Sequence, residues 1–331
     1  MRADTDATSS PRVSVVIPSL NRADRLLRLL QALSEQAEVE QFEVVVADGG
    51  STDGTVERVN REKQALPYPL RVIPWRTATG ACPARNRGWK EATGDVVVFI
   101  DDDCVPERGW LAALVSAMEV HDVVVGRTKP AEDQLHLRGP FSMYMDVWSK
   151  WCYQTCNIGY RRPVLSKLDG FDEETFPLHA GGDTDLGIRA EKAGFHTAYE
   201  PRAVAHHDVR SSKFLPYLRR VRNRDGMVAL IARHPEARRR VSEGWWLRPA
   251  GKAIPPVWVA ALVLARNPRS QAARWFGVGS GLWYLWQFRH SYYPHRSLRE
   301  LVAAIPLGLI ADSWAMVVMI RGSIRHKALV L

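Results

Sequence analysis

The chain has 331 residues, 46% of them hydrophobic, and a formal net charge of +9 at pH 7. This length allows a sizeable core and roughly two domains. Its four cysteines contain no CxxC pair and are too few to cross-link a chain of this length by disulfides. This excludes a disulfide scaffold and indicates reduced thiols. The polar N-terminus lacks the apolar segment of a signal peptide, so we expect a cytoplasmic protein.

The charge divides the chain into two regions. Residues 1–209 carry 24 Lys and Arg against 31 Asp and Glu, a net of −7, whereas residues 210–331 carry 21 against 5, a net of +16. A strongly basic region usually meets an anionic partner, which is either nucleic acid or an acidic membrane surface. Seven tryptophans between Trp245 and Trp314 favour the membrane.

The first half of the chain alternates predicted strands and helices. In order, the pattern predicts strand Val13–Pro18, helix Asn21–Ala37, strand Phe42–Asp48, strand Leu70–Ile73 and a loop and helix over Thr79–Ala92. Such alternation is typical of an α/β sheet, whose ligand lies beyond the C-terminal ends of its strands. Pro18, Asp48 and Asp101 fall at such ends.

The fourth strand lies in Gly94–Glu107, with the sequence GDVVVFIDDDCVPE. A short run of β-branched and apolar residues predicts a buried parallel strand, and Asp101, Asp102 and Asp103 follow directly. Three adjacent carboxylates repel one another and suit a divalent cation such as Mg²⁺ or Mn²⁺ that also holds substrate phosphates. The alternatives are a solvated acidic turn or an N-cap for a helix over Arg108–Val120.

Beyond Gly109 the pattern is less regular. Short strands are predicted at Val123–Gly126, Thr155–Tyr160 and Thr197–Tyr199, the last followed by His206 and His207. A Gly-rich loop leads into a helix from about Asp183 to Ala193. Asp183 lies at the N-terminus of this helix, where the helix dipole favours a carboxylate.

Five motifs occur in a fixed order: VSVVIPSLNR, VVVADGGSTDGT, ARNRGWKEATGDVVVFIDDDCVP, LDGFDEE and GGDTDLGIRAEKAG. Together they resemble the family-2 inverting glycosyltransferases with the GT-A fold, over residues 12–207. The resemblance implies a Rossmann-like mixed sheet flanked by helices in residues 12–209. It leaves residues 1–11 as a flexible N-terminus and 210–331 as a basic, Trp-rich, mainly helical region.

The same resemblance implies roles for single residues. The donor nucleotide would be bound by Pro18, Asn21, Arg22, Asp48, Arg85, Asp101 and Asp102, with Asn86 bracing the loop of Arg85. This sequence has Gly49 where many members carry a second acid, so contacts to the nucleotide base are expected to be fewer, and a UDP-sugar is only a first expectation. The alternative for Arg85 is an ordinary surface helix.

The metal and the acceptor side follow in the same way. Asp103 and either His206 or His207 would bind the divalent cation, and Asn157, Phe171, Asp172, Gly181 and Gly182 would lie near the sugar and the acceptor hydroxyl. Each of these acceptor-side residues could instead hold a turn, and both histidines could be structural. Asp183 is expected to be the general base, with helix capping as the alternative, and Asp185 is expected to face elsewhere and pair with Arg189.

The C-terminal region contains three apolar stretches, Ile254–Ala265, Trp275–Phe288 and Leu301–Ile320. The last has the length of a membrane span, but Pro306 and Asp312 interrupt it, and an acid at mid-span costs about 2.5–3.5 kcal/mol. Interfacial helices on the inner face of the cell membrane fit better. A helical subdomain packed on the catalytic region, a homo-oligomer contact and a transmembrane hairpin are the alternatives.

Competing functions have weaker support. A nucleotidyltransferase of related fold would carry glycines after the first strand, which SLNRADR lacks. A nucleic-acid-binding protein is suggested only by the basic region and leaves the acidic run unexplained, so no nucleic-acid partner is expected. A dehydrogenase would need GxGxxG after a strand, and a processive polymerase would carry a QxxRW-type motif. We therefore expect a single transfer to a lipid-linked, cell-envelope or natural-product acceptor.

Overall fold

A computed structural model describes residues 13–36, 38–39, 41–75, 80–139, 141–178, 180–211, 213–242, 253–292 and 298–329. The chain forms two compact units. One comprises residues 1–133 and 144–208, and the other residues 134–143 and 209–331. The expected flexible segment 1–11 and Trp245 lie outside the described residues.

The first unit is built on one eight-stranded sheet with the order β3-β2-β1-β4-β7-β6-β8-β5. Its strands are β1 (Val13–Ser19), β2 (Phe42–Asp48), β3 (Leu70–Pro74), β4 (Val96–Ile100), β5 (Cys104–Pro106), β6 (Val123–Pro130), β7 (Asn157–Arg161) and β8 (Thr197–His207). Its helices are α1 (Ala23–Leu33), α2 (Thr55–Glu62), α3 (Ala81–Glu91), α4 (Trp110–Ala117), α5 (Arg162–Leu168) and α6 (Gly182–Lys192).

The first four strands run parallel, and the sheet becomes mixed beyond them. β1 pairs in parallel with β2 and β4, and β2 pairs in parallel with β3. β7 runs antiparallel between β4 and β6, while β6 and β8 are parallel. All five residues of β4 are buried, as expected for a strand covered on both faces. This mixed sheet with flanking helices confirms the predicted fold class.

Two of the differences from the predicted strands matter for the site. β8 extends to His207 instead of ending near Tyr199, because it pairs along β6 and then with β5. β5 was not predicted, since three residues after an acidic run carry no periodic signal. In the antiparallel β5–β8 pair, Cys104 lies opposite His207. The paired ends therefore bring the histidine motif back to the acidic run.

Helix α1 follows β1 and packs on the sheet through one apolar face. Its buried residues are Ala23, Leu26, Leu29, Leu30 and Leu33, the spacing expected for one face of a helix. The opposite side carries arginines at positions 22, 25 and 28, three residues apart. The C-terminal end of β1 and the start of α1 therefore supply cationic side chains at one edge of the sheet.

The second unit is helical. It contains α7 (Phe214–Val221), α8 (Asp225–Arg233), α9 (Ala237–Ser242), α10 (Ile254–Arg266), α11 (Gln271–Tyr292) and α12 (Leu298–Arg325). One core cluster joins these helices through Ala253, Ile254, Tyr284, Phe288 and Ala304, and another through Tyr217, Val221, Ala311 and Ala315. The three apolar stretches are thus helices with small residues at their contacts.

Helix α12 has the length and composition of a membrane span over Val302–Arg325, with 39% of its apolar window buried inside the protein. Asp312 is buried and accepts a hydrogen bond from the Tyr284 hydroxyl at 3.2 Å. This partner reduces the penalty for an acid within an apolar helix. By contrast, α11 exposes much of its surface, including Trp275, Phe276 and Trp286.

Candidate active site

The acidic run lies at the C-terminal end of β4, where the chain leaves the sheet. Ser19 Oγ donates a hydrogen bond to Asp102 Oδ2 at 2.9 Å, and Arg22 Nη1 donates to Asp102 Oδ1 at 2.6 Å. The same Arg22 nitrogen lies 3.5 Å from Asp103 Oδ2. Burial raises the pKa of Asp102 to about 6, against the opposing attraction of the Arg22 charge. Residues from β1 and the start of α1 therefore fix two of the three carboxylates.

Asp103 and His207 form a candidate cation site. His207 Nε2 lies 3.5 Å from Asp103 Oδ1, and both side chains are buried. His207 Nδ1 lies 2.7 Å from the backbone carbonyl oxygen of Asp208. Because a carbonyl oxygen only accepts, Nδ1 carries the hydrogen, which in the neutral ring leaves the Nε2 lone pair facing Asp103.

Candidate ligand atoms of Asp103, Cys104 and His207 lie within 4.8 Å of one another. Burial raises the pKa of the Cys104 thiol well above its usual range, and sulfur is a softer ligand than Mg²⁺ or Mn²⁺ prefers. A carboxylate oxygen and an imidazole nitrogen remain, and these donors fit a divalent cation such as Mn²⁺. The residues present are therefore compatible with a divalent metal.

The structure separates the two adjacent histidines. Neighbouring residues of a strand point to opposite faces of the sheet, so His206 faces away from Asp103. His206 Nε2 lies 2.7 Å from Glu107 Oε1 instead. Of the two histidines that the sequence left open, His207 is the one brought to the acidic run.

A second group of side chains surrounds Asp101. Arg85, on α3, is buried and donates from Nη2 to Asp101 Oδ1 at 2.6 Å. The charges of Arg85 and Asp101 both act on the pKa of Asp183, which lies in the first turn of α6. The structure therefore places Arg85, Asp101 and the predicted base Asp183 close to one another.

Asp183 is partly buried in the first turn of α6. Its Oδ1 accepts a hydrogen bond from the Thr184 backbone N–H at 2.8 Å. Desolvation is the largest influence and raises the pKa of Asp183 to about 6, partly offset by this hydrogen bond and by Arg85. A carboxylate of this pKa is ionised at neutral pH and is a stronger base than an ordinary aspartate.

Asp185 has a different environment, as predicted. Its side chain is fully buried, and Arg189 Nε donates to its Oδ2 at 2.7 Å. Arg189 also donates to the backbone carbonyls of Leu168 and Gly170 at 2.8 and 2.7 Å. The predicted ion pair between Asp185 and Arg189 is confirmed, and it ties α6 to the turn that follows α5.

The loops after β1 and β2 are joined by polar contacts. Asn21 has a positive φ of 54° and its side-chain oxygen accepts a hydrogen bond from the Thr52 N–H at 2.7 Å. Asp48 is buried and accepts from the backbone N–H groups of Gly50 and Ser51 at 3.0 and 2.9 Å. Asp48 therefore shapes the turn around Gly49. Pro18 of β1 pairs with Ala47 of β2, one position before Asp48.

Asn157, which the resemblance implied near the sugar and the acceptor, begins β7. It is buried, and its amide nitrogen donates to the carbonyls of Arg127 and Ala203 at 3.0 and 2.9 Å. Its side-chain oxygen accepts from Trp110 Nε1 at 2.8 Å. These contacts use the side chain to join β6, β8 and α4, so its placement supports a structural role.

The other acceptor-side residues shape the loop before α6. Asp172 Oδ1 accepts from the Glu174 and Thr175 N–H groups at 3.1 and 3.0 Å, which is a turn. Asn86 Nδ2 donates to the Phe171 carbonyl oxygen at 2.7 Å, and Asn86 Oδ1 accepts from the Phe171 N–H at 2.9 Å. Asn86 was expected to brace a loop around Arg85, but both residues lie on helix α3, and Asn86 instead holds the loop of Phe171.

Two glycines allow α6 to begin beside this loop. Gly181 has a φ of 98°, which favours glycine, and it precedes the first residue of the helix. A Cβ at Gly182 would lie 2.7 Å from Cys82 Sγ. The two glycines thus allow the close approach that places Asp183.

Sequence reasoning missed three contributors to the site. Ser19 holds Asp102, Cys104 lies beside the cation site, and Asp208 contacts both Asp103 and His207 through its backbone. The signal for Asp208 was its position directly after the histidine pair. Ser19 and Cys104 gave no signal, because their contacts depend on strand pairing.

Comparisons with known proteins agree with this architecture. The sequence model of glycosyl transferase family 2 matches residues 14–169, which include the acidic run but neither Asp183 nor His207. Glycosyltransferase AglE of Haloferax volcanii is 28% identical over 60% of this chain and 68% of that protein. The pre-mycofactocin glycosyltransferase of Mycobacterium tuberculosis is 30% identical over 68% of this chain, which spans only 48% of that relative.

Among solved structures, the mannosyltransferase PcManGT from Pyrobaculum calidifontis, in complex with GDP-Man and Mn²⁺, is similar in fold. The TM-score is 0.57 with 20% sequence identity, over 95% of this chain and 88% of that one. At this identity the likeness shows the fold alone. The family match and the curated relatives identify residues 14–169 as a family-2 glycosyltransferase region.

Proposed function

We propose that this protein transfers a sugar from a nucleotide-diphosphate sugar to an acceptor hydroxyl, with inversion at the anomeric carbon and with a divalent cation. The observation that carries the proposal is the convergence of the acidic run, Arg85 and Asp183 at the C-terminal edge of the parallel strands. Ligands of open α/β sheets bind at this edge. The acidic run, the Arg85 guanidinium and the proposed base are therefore close to one another.

Asp103 and His207 are proposed to hold the cation, which would be Mn²⁺ or Mg²⁺. When bound, such an ion neutralises the diphosphate leaving group as a Lewis acid. The Mn²⁺ in the complex of PcManGT supports this assignment. Arg22 holds Asp102 in place, and Arg85 holds Asp101, so the protein orients the acidic run before any ligand arrives.

Asp183 is proposed to be the general base. Its carboxylate would take the proton from the acceptor hydroxyl while that oxygen attacks the anomeric carbon and the bond to the diphosphate oxygen breaks. A single in-line displacement inverts the configuration and needs one base. The pKa of Asp183, raised to about 6, increases its basicity and still leaves most of the carboxyl groups ionised at pH 7.

The donor contacts are proposed from the same edge of the sheet. Pro18 lies near the end of β1, Asn21 and Arg22 follow that strand, and Asp48 ends β2. All four would therefore border the bound nucleotide. A UDP-sugar is the first donor to test, and a GDP-sugar the second, because PcManGT was solved with GDP-Man. Gly181 and Gly182 are proposed to border the transferred sugar.

The acceptor is proposed to be lipid-linked or part of the cell envelope, with a natural product as the alternative, and the helical unit is proposed to bind an anionic membrane surface. The support is the surface of α10 and α11, which exposes Trp258, Trp275, Leu282 and Trp286. Arg266, Arg269, Arg274 and Arg289 flank these apolar stretches. Apolar stretches of 12–14 residues are shorter than the roughly 20 needed for a span, which favours a position in the interface.

The test is a thermal-shift and turnover screen with UDP- and GDP-sugars, with and without Mn²⁺ or Mg²⁺. A bound donor at 100 times its Kd stabilises the fold by about 2.7 kcal/mol. Asp103→Asn should remove the metal-dependent part of both signals, and a chelator should do the same to the wild type. A wild-type enzyme whose transfer is unaffected by chelation would refute the metal assignment.

A further inference from the structure

Asp208 occupies a bridging position that the family resemblance did not assign. Its backbone N–H donates to the Asp103 carbonyl oxygen at 2.8 Å, and its own carbonyl accepts from His207 Nδ1 at 2.7 Å. One peptide segment therefore contacts both proposed cation ligands. The position of Asp208 controls the separation of the two ligands and the tautomer of the imidazole.

The side chain of Asp208 is held by two arginines of α1. Arg28 Nη2 lies 2.6 Å from Asp208 Oδ1, and Arg25 Nε lies 3.2 Å from Oδ2. The carboxylate is nearly buried, whereas the arginines are 36% and 43% exposed. A nearly buried carboxylate that makes two charged contacts has a well-defined position, because both arginines restrict its movement.

The geometry points to Asp208, Arg25 and Arg28 as positioning residues for the cation site, and this inference rests on the proposed metal dependence. The three side chains anchor the end of β8 to α1, so that His207 Nε2 stays 3.5 Å from Asp103 Oδ1. Neighbouring ligands of an octahedral cation with bonds of 2.0–2.1 Å lie about 3 Å apart. The anchored pair thus needs only a small movement to hold an ion.

Simple electrostatics and positioning predict opposite results for one variant. Arg25→Gln/Arg28→Gln removes two positive charges near the site, which by Coulomb's law alone should strengthen the binding of a cation. If the arginines position His207 through Asp208, the same variant should weaken Mn²⁺ binding about 10–100-fold, the usual effect of losing a partner behind a metal ligand. The sign of the change separates the two explanations.

The experiment measures Mn²⁺ binding to the full chain by calorimetry or electron paramagnetic resonance, without any sugar donor. Asp208→Asn and the double arginine variant are compared with Glu200→Gln. Glu200 lies on the same strand, and its carboxylate is also held by an arginine, Arg202, at 2.9 Å, so this control loses a similar ion pair. We expect Mn²⁺ affinity to fall in the first two variants and to remain unchanged in the control.

A second measurement needs no metal. Long-range ¹H–¹⁵N spectra of the metal-free protein report the imidazole tautomer, with the His207 signal assigned from its loss in His207→Gln. The wild type should show Nδ1–H, and the double arginine variant a smaller population of that tautomer. Unchanged or tighter Mn²⁺ binding in the double variant, with an unchanged tautomer, would overturn the inference. A wild type that binds no Mn²⁺ but shows the tautomer change would instead remove the proposed cation site.

Discussion

At the scale of single residues, α6 assigns different tasks to two aspartates two positions apart. Asp185 is fully buried and paired with Arg189, whereas Asp183 lies in the first turn without an arginine at hydrogen-bond distance among its described contacts. The pKa of Asp183 is raised to about 6 by desolvation. A buried ion pair holds structure, whereas a partly exposed carboxylate of raised pKa can accept a proton.

Asp183→Asn tests the base directly. The variant should keep donor and metal binding and lose about 10²–10⁴-fold in turnover rate, the range typical of a general base. Because the folded-state pKa lies above the ordinary value of 3.8, ionisation of Asp183 destabilises the fold as the pH rises through 6. The variant should therefore be at least as stable as the wild type at pH 8, measured by thermal unfolding. Near wild-type turnover would leave only the helix-cap role.

The pH dependence of turnover provides a separate test. With a base of pKa about 6, the rate should be flat above pH 7 and fall tenfold per pH unit well below pH 6. The residual rate of Asp183→Asn should lack this acidic limb. An acidic limb of the same midpoint in the variant would assign it to Asp102, whose pKa is also raised to about 6 by burial.

At the scale of elements, the site depends on the contact between the start of α3 and the loop before α6. Gly80 precedes α3 with a φ of 148°, and a Cβ there would lie 1.8 Å from the Pro177 carbonyl oxygen. α3 carries Arg85, and the loop of Pro177 leads to Asp183. The contact therefore sets the distance between two parts of the proposed catalytic machinery.

Gly80→Ala should destabilise the fold by roughly 2–4 kcal/mol, from backbone strain together with the forced movement of the loop. Gly54→Ala is the matched control, because Gly54 also has a positive φ, 80°, but no heavy atom within 4 Å of its added Cβ. It should cost about 1–2 kcal/mol. Chemical denaturation measures both values, and equal losses would contradict the steric argument.

At the scale of the whole molecule, charge and exposed aromatic surface are concentrated in the helical unit. Trp275→Glu and Leu282→Glu should each weaken binding of the full chain to anionic vesicles. Both side chains are apolar, and 74% of the Trp275 surface and 61% of the Leu282 surface are exposed. Val120→Glu is the control, since Val120 is equally exposed, 72%, in the first unit. Vesicle flotation measures binding, and salt should reduce it. Equal binding to neutral and anionic vesicles at low salt would contradict the electrostatic part.

The sequence by itself determined the parallel strands and the acidic run that follows them, and it singled out Asp183 as a candidate base. Five consecutive apolar residues before Asp101 are enough to predict a buried strand, because a strand covered on both faces has no polar side. The charge asymmetry likewise follows from composition alone. The placement of Asp185 was predictable too, since residues two apart on a helix do not share a face and a residue four positions on can pair.

Tertiary structure decided which residues complete the site. His206 and His207 are equivalent in sequence, and only the register of β8 against β5 selects His207. Asn157 matched a family position, but in the folded protein its buried amide bonds to Trp110 of α4 and to Ala203 of β8. Asp208 acquires its role from Arg25 and Arg28, which are about 180 residues distant in sequence. Such contacts depend on long-range strand pairing and helix packing, and no local pattern encodes them.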